Sequence, residues 1–445
     1  MNKNLIIWSI TSSLAGFLFG FDTVVISGAE SRIQELWGLS GSMHGLALSA
    51  ALWGTVLGAL FGGIPTNNFG RRKVLIAIGA LYFISAIGSA LANDVITFIV
   101  SRFIGGVGVG VSTVAAPLFI SEIAPAENRG RLTGLFQFNI VFGILIAFFS
   151  NYLFSEAMDA DVAWRWMLGI EALPAFIYFV LTFTLPESPR WLISHANKTE
   201  EARLIFEKIN PTRHKAEIDY IIQSIKSSVN TTIKKDKFWS KKYKKPIGLS
   251  ILIATFNQLS GINVILYFAP RLLGLAGIEN ALASSIAIGV TNLVFTFVGL
   301  WLIDRLGRKT LLYIGSVGYI ISLGICAIAF LSVSDISLMT DGLSWTVLIF
   351  IMVFIASHAI GQGAVIWVFI SEIFPNEQRS YGQSLGSFTH WFFAALLTLL
   401  FPLAIVNIDA GYIFAFFAFM MVLQLIWVKT MVPETKGKQL EEIDL

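Results

Sequence analysis

An aspartate sits in the middle of the apolar stretch GFLFGFDTVVISGA (16–29). A carboxylate in such surroundings is costly to desolvate, and by default it marks function and has a partner that can be named. For Asp22 the expected partner is Arg102, the basic residue that falls deep inside an apolar run. Paired, each offsets the desolvation of the other; unpaired, each is costly. Burial and a neighbouring guanidinium push the ionisation of an acid in opposite directions. An acid under both pushes changes protonation when its surroundings rearrange, which is what coupling a proton to a conformational change requires. The plainer alternative is a pair kept for packing.

A second set of residues offers hydrogen bonds without fixed charge. Gln137, Asn257, Gln258, Asn263, Tyr267, Asn292 and His390 interrupt apolar runs, with Trp367 and Trp391 in the same segments. Phe19 and Gly20 beside Asp22, and Gly363 ahead of Trp367, are placed to line the same space. Ligands rich in hydroxyls are held by a few placed polar groups and flat apolar walls. One amide alone could simply tie two helices together, worth roughly 0.6 kcal/mol. As a set these residues favour a polyol ligand. His390 adds a second group able to titrate, and its preferred reading is a neutral ligand.

A third set is charged and lies at the ends of the runs: Arg71, Glu122, Arg129 and Glu187, then Arg308, Glu372, Arg379 and Glu434. Exposed pairs contribute roughly 0–1 kcal/mol each. Their value would lie in forming in one state and parting in another, as a cytoplasmic latch.

Rigid elements must hold these residues, and composition says which. The chain is 55% hydrophobic and only 13% charged over 445 residues, too little charge to cover a soluble protein of that size. Twelve apolar runs are each long enough for a membrane-spanning helix. They fall at about 5–28, 43–64, 73–92, 95–120, 133–154, 165–185, 246–272, 281–304, 310–333, 343–370, 382–407 and 410–430, each bound good to about three residues. A barrel would alternate polar and apolar residues, and these runs do not. The expected class is an all-α membrane protein. Of the 31 Lys and Arg, all but Arg32, Arg102, Arg165 and Arg271 fall on the loops and tails of one side. The positive-inside rule makes that side, with both termini, cytoplasmic.

Several chemistries drop out. Cys326 is the single cysteine, so no intrachain disulfide and no cysteine metal site is expected. His44, His195, His214, His358 and His390 lack metal-ligand spacing, and neither a nucleophile–base arrangement nor a P-loop is present. No cofactor, no metal and no enzymatic activity are expected. The glycines of RFIGGVGVGVS (102–112) lie inside an apolar run, where small residues serve close helix packing rather than a dinucleotide site. Only Lys3 precedes the first run, and Asp22 would spoil the apolar core of a signal peptide. The sequons at Asn197 and Asn230 fall on the expected cytoplasmic side and read as chance.

Six runs precede a long polar segment and six follow it. The expected organisation is a six-helix half at 1–185, a cytoplasmic helical linker at 186–245, a second six-helix half at 246–430 and a cytoplasmic tail at 431–445. The linker holds fourteen Lys and Arg against seven Asp and Glu. Two of its stretches, 199–209 and 214–227, have amphipathic helical spacing, with Asn210-Pro211 between them. Its basic run KKDKFWSKKYKK (234–245) suits anchoring at a lipid surface rather than a nucleic acid. The halves repeat each other: NNFGRRK (67–73) matches DRLGRK (304–309), and SEIAPAENRGR (121–131) matches SEIFPNEQRS (371–380). In each half a Glu is followed seven residues later by an Arg, Glu122 by Arg129 and Glu372 by Arg379. Parallel halves of this kind suggest rocking about a site at mid-membrane.

With PESPR (186–190), PETKG (433–437) and QLSGINVILYFAP (258–270), these repeats resemble the sugar porters of the major facilitator superfamily over essentially the whole chain. The resemblance implies two pseudo-symmetric six-helix halves and import of a hexose or pentose by proton symport. Asp22 and Arg102 would then be the coupling pair, and Gln137, Gln258, Asn263, Asn292, Trp367 and Trp391 would stand at sugar-contacting positions. The alternatives are a facilitative uniporter and, less favoured for its short tail, a sugar sensor. The implied partners are sugar, proton and membrane lipid, with a monomer as the functional unit and a bacterial inner membrane as its place. Three departures touch the pocket and one the latch. Ile144 replaces a glutamine, Asn257 precedes Gln258 in place of a glutamine pair, and His390 precedes Trp391. Asn67 stands where the loop after the second helix usually has an acid, which predicts a weaker first-half latch and a bias towards opening inward.

Overall fold

Every regular element among the described residues is a helix. The structure is a computed structural model that describes residues 2–125, 128–211, 214–230, 237–333, 338–375 and 378–436. The first bundle holds α1 (Lys3–Leu36), α2 (Gly41–Phe61), the short α3 (Gly63–Phe69), α4 (Arg71–Leu91), α5 (Val95–Ile123) and α6 (Arg129–Ala157). Its last span is made of α7 (Ala160–Gly169) and α8 (Ala172–Thr182), broken near Glu171. The linker forms α9 (Pro189–Ser194), α10 (Thr199–Ile209) and α11 (Lys215–Asn230). The second bundle opens with one interrupted span, α12 (Lys244–Leu259), α13 (Ile262–Tyr267) and α14 (Ala269–Leu275). It continues with α15 (Ala281–Leu306), α16 (Arg308–Leu331), α17 (Asp341–Ile360) with α18 (Gln362–Glu372), α19 (Arg379–Asn407) and α20 (Ala410–Thr430). Twelve spans among the described residues are long and apolar enough to cross a membrane, so the expected all-α class holds.

Three spans differ from smooth rods, and each break serves the interior. The α12–α13 break turns on Gly261, whose φ of +86° suits a residue without a Cβ, and the ring of Phe417 fills the space beside it. Gly361 interrupts the α17–α18 span. The α7–α8 break leaves Glu171 buried. Non-helical backbone at membrane depth is tolerated where it is covered by protein or lines a cavity.

The first span corrects the sequence reading. The expected first run ends at about residue 28, yet α1 continues to Leu36. Its charges are paired: Glu30 with His44 and Arg271, and Arg32 with Glu35 and Asp161. The linker helices fall close to the expected stretches. They bury Ala202, Phe206, Ile218 and Ile222 and are joined by Arg203 on Asp219 at 2.6 Å. Asn2 donates to the Lys208 carbonyl at 2.7 Å, and Lys436 to that of Arg305 at 2.7 Å. Both described chain ends therefore lie at the linker end of the bundle.

Two apolar cores show how the bundles meet. The larger runs through both, taking Val25, Leu48 and Phe148 from the first and Phe268, Ile288 and Phe401 from the second. The smaller, with Leu75, Phe119, Leu192 and Phe206, belongs to the first bundle and the linker. The halves are thus fused by apolar packing away from the linker, while the linker end of the first bundle packs on the linker instead.

Candidate functional site

Asp22 on α1 and Arg102 on α5 meet as expected. Both are 2% exposed. Arg102 Nη1 donates to Asp22 Oδ1 at 2.5 Å, and Nη2 donates to the Asp22 carbonyl at 3.0 Å. Gly105, one turn on from Arg102, lets α5 approach: a Cβ there would collide with Ser85 on α4 and stand 3.8 Å from Asp22 Oδ1.

The sequence reading missed a third member. Glu171, at the α7–α8 break, is 1% exposed and lies within electrostatic reach of Asp22 and Arg102, and its Oε1 is without a hydrogen-bond partner among the described residues. Its signal was an acid in the sixth apolar run, MLGIEALPAF, a pattern no different in kind from that of Asp22. A second buried carboxylate beside the Arg102–Asp22 pair adds negative charge out of water, which is costly unless it is compensated. Tyr82 and Tyr178 close the first-half side of this cluster, and Tyr267 on α13 faces Arg102 and Asp22 from the second half.

The uncharged set gathers mainly in the second half. Gln258 is its hub. Its Nε2 lies 3.0 Å from Asn257 Oδ1 and 3.1 Å from the His390 ring, and its Oε1 accepts from Asn263 Nδ2 at 2.8 Å. Trp367 lies 5.1 Å and Trp391 4.8 Å from the His390 ring, centroid to centroid. Phe19 on α1 stands edge-on to Trp391 at 5.4 Å, so the aromatic wall crosses between the halves. Gly363 packs on His358, a residue not singled out in the sequence, whose Nδ1 meets Tyr319 Oη at 2.7 Å. Gln137 on α6 and Asn292 on α15 lie on helices that pack together, but share no hydrogen bond with Gln258 among the described residues. Ile144 is buried in the larger apolar core, so that departure is a packing residue here.

The charged ends form two mirrored networks. Arg71 holds Glu122 with two hydrogen bonds of 2.9 and 2.8 Å, and Arg308 holds Glu372 at 3.0 and 2.7 Å. Glu187 accepts from the backbone N–H of Arg71, Arg72 and Ser188, and Glu434 from those of Arg308, Lys309 and Lys436. Each glutamate caps the helix that starts after Gly70 or Gly307, with φ of +93° and +90°. Burial pushes the Glu187 carboxyl above the usual carboxylate range, against the pull of the N–H groups it caps. Arg129 and Arg379 do not pair with the glutamates seven residues before them: Arg129 Nε donates to the Ser121 carbonyl at 3.1 Å, and Arg379 Nε is buried without a partner. Asn67 uses its carbonyl to accept from Trp191 at 2.6 Å. Its counterpart Asp304, 84% exposed, reaches Arg308 only at 3.5 Å, so the missing acid removes a weak contact.

Residues 8–445 match the model of a family described as sugar (and other) transporter. The arabinose-proton symporter of Bacillus subtilis is 35% identical over 447 residues, covering 99% of this chain and 94% of its own. The partially occluded inward open conformation of the xylose transporter XylE from E. coli superimposes with a TM-score of 0.86 at 31% identity, covering 98% of this chain and 100% of that one. The proton:xylose symporter XylE bound to 6-bromo-6-deoxy-D-glucose gives 0.81 at 32% identity, covering 99% and 98%.

Proposed function

The chain belongs to the sugar (and other) transporter family, and from that premise we propose that it imports a monosaccharide with a proton by alternating access. It is a transporter and not an enzyme. The observation that carries the coupling is the buried cluster of Asp22, Arg102 and Glu171, faced by Tyr267 of the sugar-binding half. A proton taken up by the two acids loosens Arg102 from Asp22. The freed guanidinium and Tyr267 then lie between the proton site and the sugar site, so filling one biases the other.

The sugar site is built from Gln258, Asn257, Asn263, Trp367, His390 and Trp391, with Phe19, Tyr267 and Gly363 around it and Gln137 and Asn292 from the α6–α15 seam. Hydrogen bonds that Gln258 makes to its own neighbours are exchanged for bonds to sugar hydroxyls, while the indoles cover the ring faces. Arg71, Glu122, Arg129 and Glu187, with Arg308, Glu372, Arg379 and Glu434, form the cytoplasmic gate, supported by the Arg71–Glu122 and Arg308–Glu372 pairs within each half. Residues 1–185 and 246–430 rock as the two halves about the linker 186–245. Both termini and the tail 431–445 are cytoplasmic, the membrane is a bacterial inner membrane, and a monomer suffices.

The test is purified protein in liposomes with labelled pentoses and hexoses, arabinose and xylose first because similar proteins carry those names. One sugar is expected to accumulate above equilibrium only with an inward proton gradient. Equilibration regardless of the gradient would make the protein a uniporter. No movement of any sugar would remove the substrate class.

A further inference from the structure

The end of the bundle remote from the linker holds a second buried charged cluster that the coupling site does not use. Glu30 on α1 is 1% exposed and His44 on α2 is 0% exposed. Arg271 on α14 crosses from the other half and donates from Nε to Glu30 Oε1 at 2.8 Å and from Nη2 to Gln34 Oε1 at 2.6 Å. The other Glu30 oxygen lies 3.1 Å from His44 Nε2, yet the two are not aligned as a hydrogen bond, and His44 Nδ1 is buried without a partner. The Phe268 ring stands edge-on to the imidazole at 6.5 Å.

We propose that His44 and Glu30 form a second proton-binding site, filled from the far-side solution when Arg271 withdraws and emptied when it returns. The reason is the division of the cluster between the halves. When this end opens, Glu30 keeps His44, which sits in its own half, and loses Arg271. An unpaired carboxylate in that position is costly, and an imidazole is the side chain able to supply a positive charge between about pH 5 and 8. A proton on His44 therefore replaces the guanidinium as the counter-charge of Glu30. The proton enters and leaves on the same side, so the site moves no net charge across the membrane. It makes outward opening easier when the far side is acidic, the condition under which an inward proton gradient can be used.

Other titratable groups on the packed elements are engaged elsewhere or lie at the linker end. On α1, Asp22 holds Arg102, and Arg32 holds Glu35 and Asp161. On α5, Arg102 faces Asp22 and Glu122 faces Arg71, and Asp94 caps its first turn through Ile96 and Thr97. On α19, His390 meets Gln258, while Arg379 and Tyr381 lie at the linker end. The short α3 carries no titratable side chain.

The inference rests on the transport reading only for the rocking of the halves. Spin labels at Ser42→Cys and Glu279→Cys, both exposed and on opposite halves, would report the far-end distance in a Cys326→Ala, Asp22→Asn background without sugar. With the coupling acid silenced, lowering the pH from 8 to 5.5 is expected to raise the open population by roughly tenfold per pH unit while the site titrates. His44→Gln should remove that response, and His44→Lys should hold the end open at both pH values. A response unchanged in His44→Gln, or none in the parent, overturns the proposal. Arg271→Gln separates the two readings. If it opens the far end while pH does nothing, rocking stands and the proton site falls. If neither moves the labels, the rocking itself is wrong.

Discussion

The two halves of the molecule share a fold and a repeated set of motifs but hold different chemistry at their centres. The first buries charge: Asp22, Glu171 and Arg102, closed by tyrosines. The second buries amides and the His390 imidazole joined through Gln258, with indoles packed on that ring. Charge out of water responds to protons and to the movement of a counter-charge. Neutral hydrogen bonds respond to a ligand that offers the same donors and acceptors. On the proposed function, this division gives the proton to one half and most of the sugar contacts to the other, so that contacts between the halves carry the coupling. Tyr267 and the Phe19–Trp391 pair are such contacts.

The largest effect expected from breaking this division is Asp22→Asn. Glu171 remains to compensate Arg102, so the bundle keeps a counter-charge and folds. The excess acid that calls for a proton is gone. Gradient-driven accumulation in liposomes should be abolished, while sugar exchange without a gradient stays within about threefold of wild type, measured as counterflow. If accumulation persists, the proton is carried elsewhere and the assignment of charge to the first half is wrong.

The next effect belongs to the other half. Gln258→Ala leaves Asn257, Asn263 and His390 without their shared partner and removes bonds available to a sugar. Loss of such bonds costs about 1–3 kcal/mol, which predicts a rise in KM of roughly 5–150-fold. The accumulation ratio at saturating sugar should not change. A variant that lost coupling as well as affinity would show that the halves are not divided in this way.

How much of this was legible in the sequence follows from what each residue depends on. The spans, the repeat and the Asp22–Arg102 pair rest on local composition, and a single base deep in an apolar run leaves Asp22 little choice of partner. Glu30 was missed because an acid at the end of an apolar run reads as the edge of that run, whereas Glu171 lies inside the sixth run and carried the same signal as Asp22. The partners within the latch set were not legible, because Glu122 and Arg129, close in sequence, are parted by a turn, while Arg71 comes from the neighbouring helix with its fork already aimed. Ile144 read as a lost ligand because the pattern of relatives placed an amide there, yet its side chain is part of the apolar core.

A smaller effect tests whether the linker ends of the halves are equivalent. The Glu122 side chain is 11% exposed and its partner Arg71 6%, against 24% and 10% for Glu372 and Arg308. Water screens the second pair more. Glu122→Gln should cost about 2 kcal/mol and Glu372→Gln about 1 kcal/mol, a loss in each case reduced by the remaining solvent contact. Thermal midpoints of the two purified variants check the order. Equal shifts would mean that Thr435, which donates to Glu372 at 2.7 Å, makes up the difference.

The smallest effect is a pH dependence at the helix caps. Burial raises the Glu187 carboxyl above its ordinary range, and Arg71, Arg72 and Ser188 backbone N–H groups only partly counter it. An acid whose folded value is raised binds more protons in the folded state than in the unfolded one across that interval. Stability then falls as pH rises from the ordinary carboxylate value towards the raised one, and is recovered as pH is lowered again. Glu187→Gln should flatten this decline in thermal midpoint while keeping an oxygen to accept from the cap. Glu434→Gln, the mirror substitution, should leave the decline in place, because Glu187 is still there to produce it. If both variants flatten the curve equally, the proton is shared by the two linker-end networks, and the halves are more alike at their ends than at their centres.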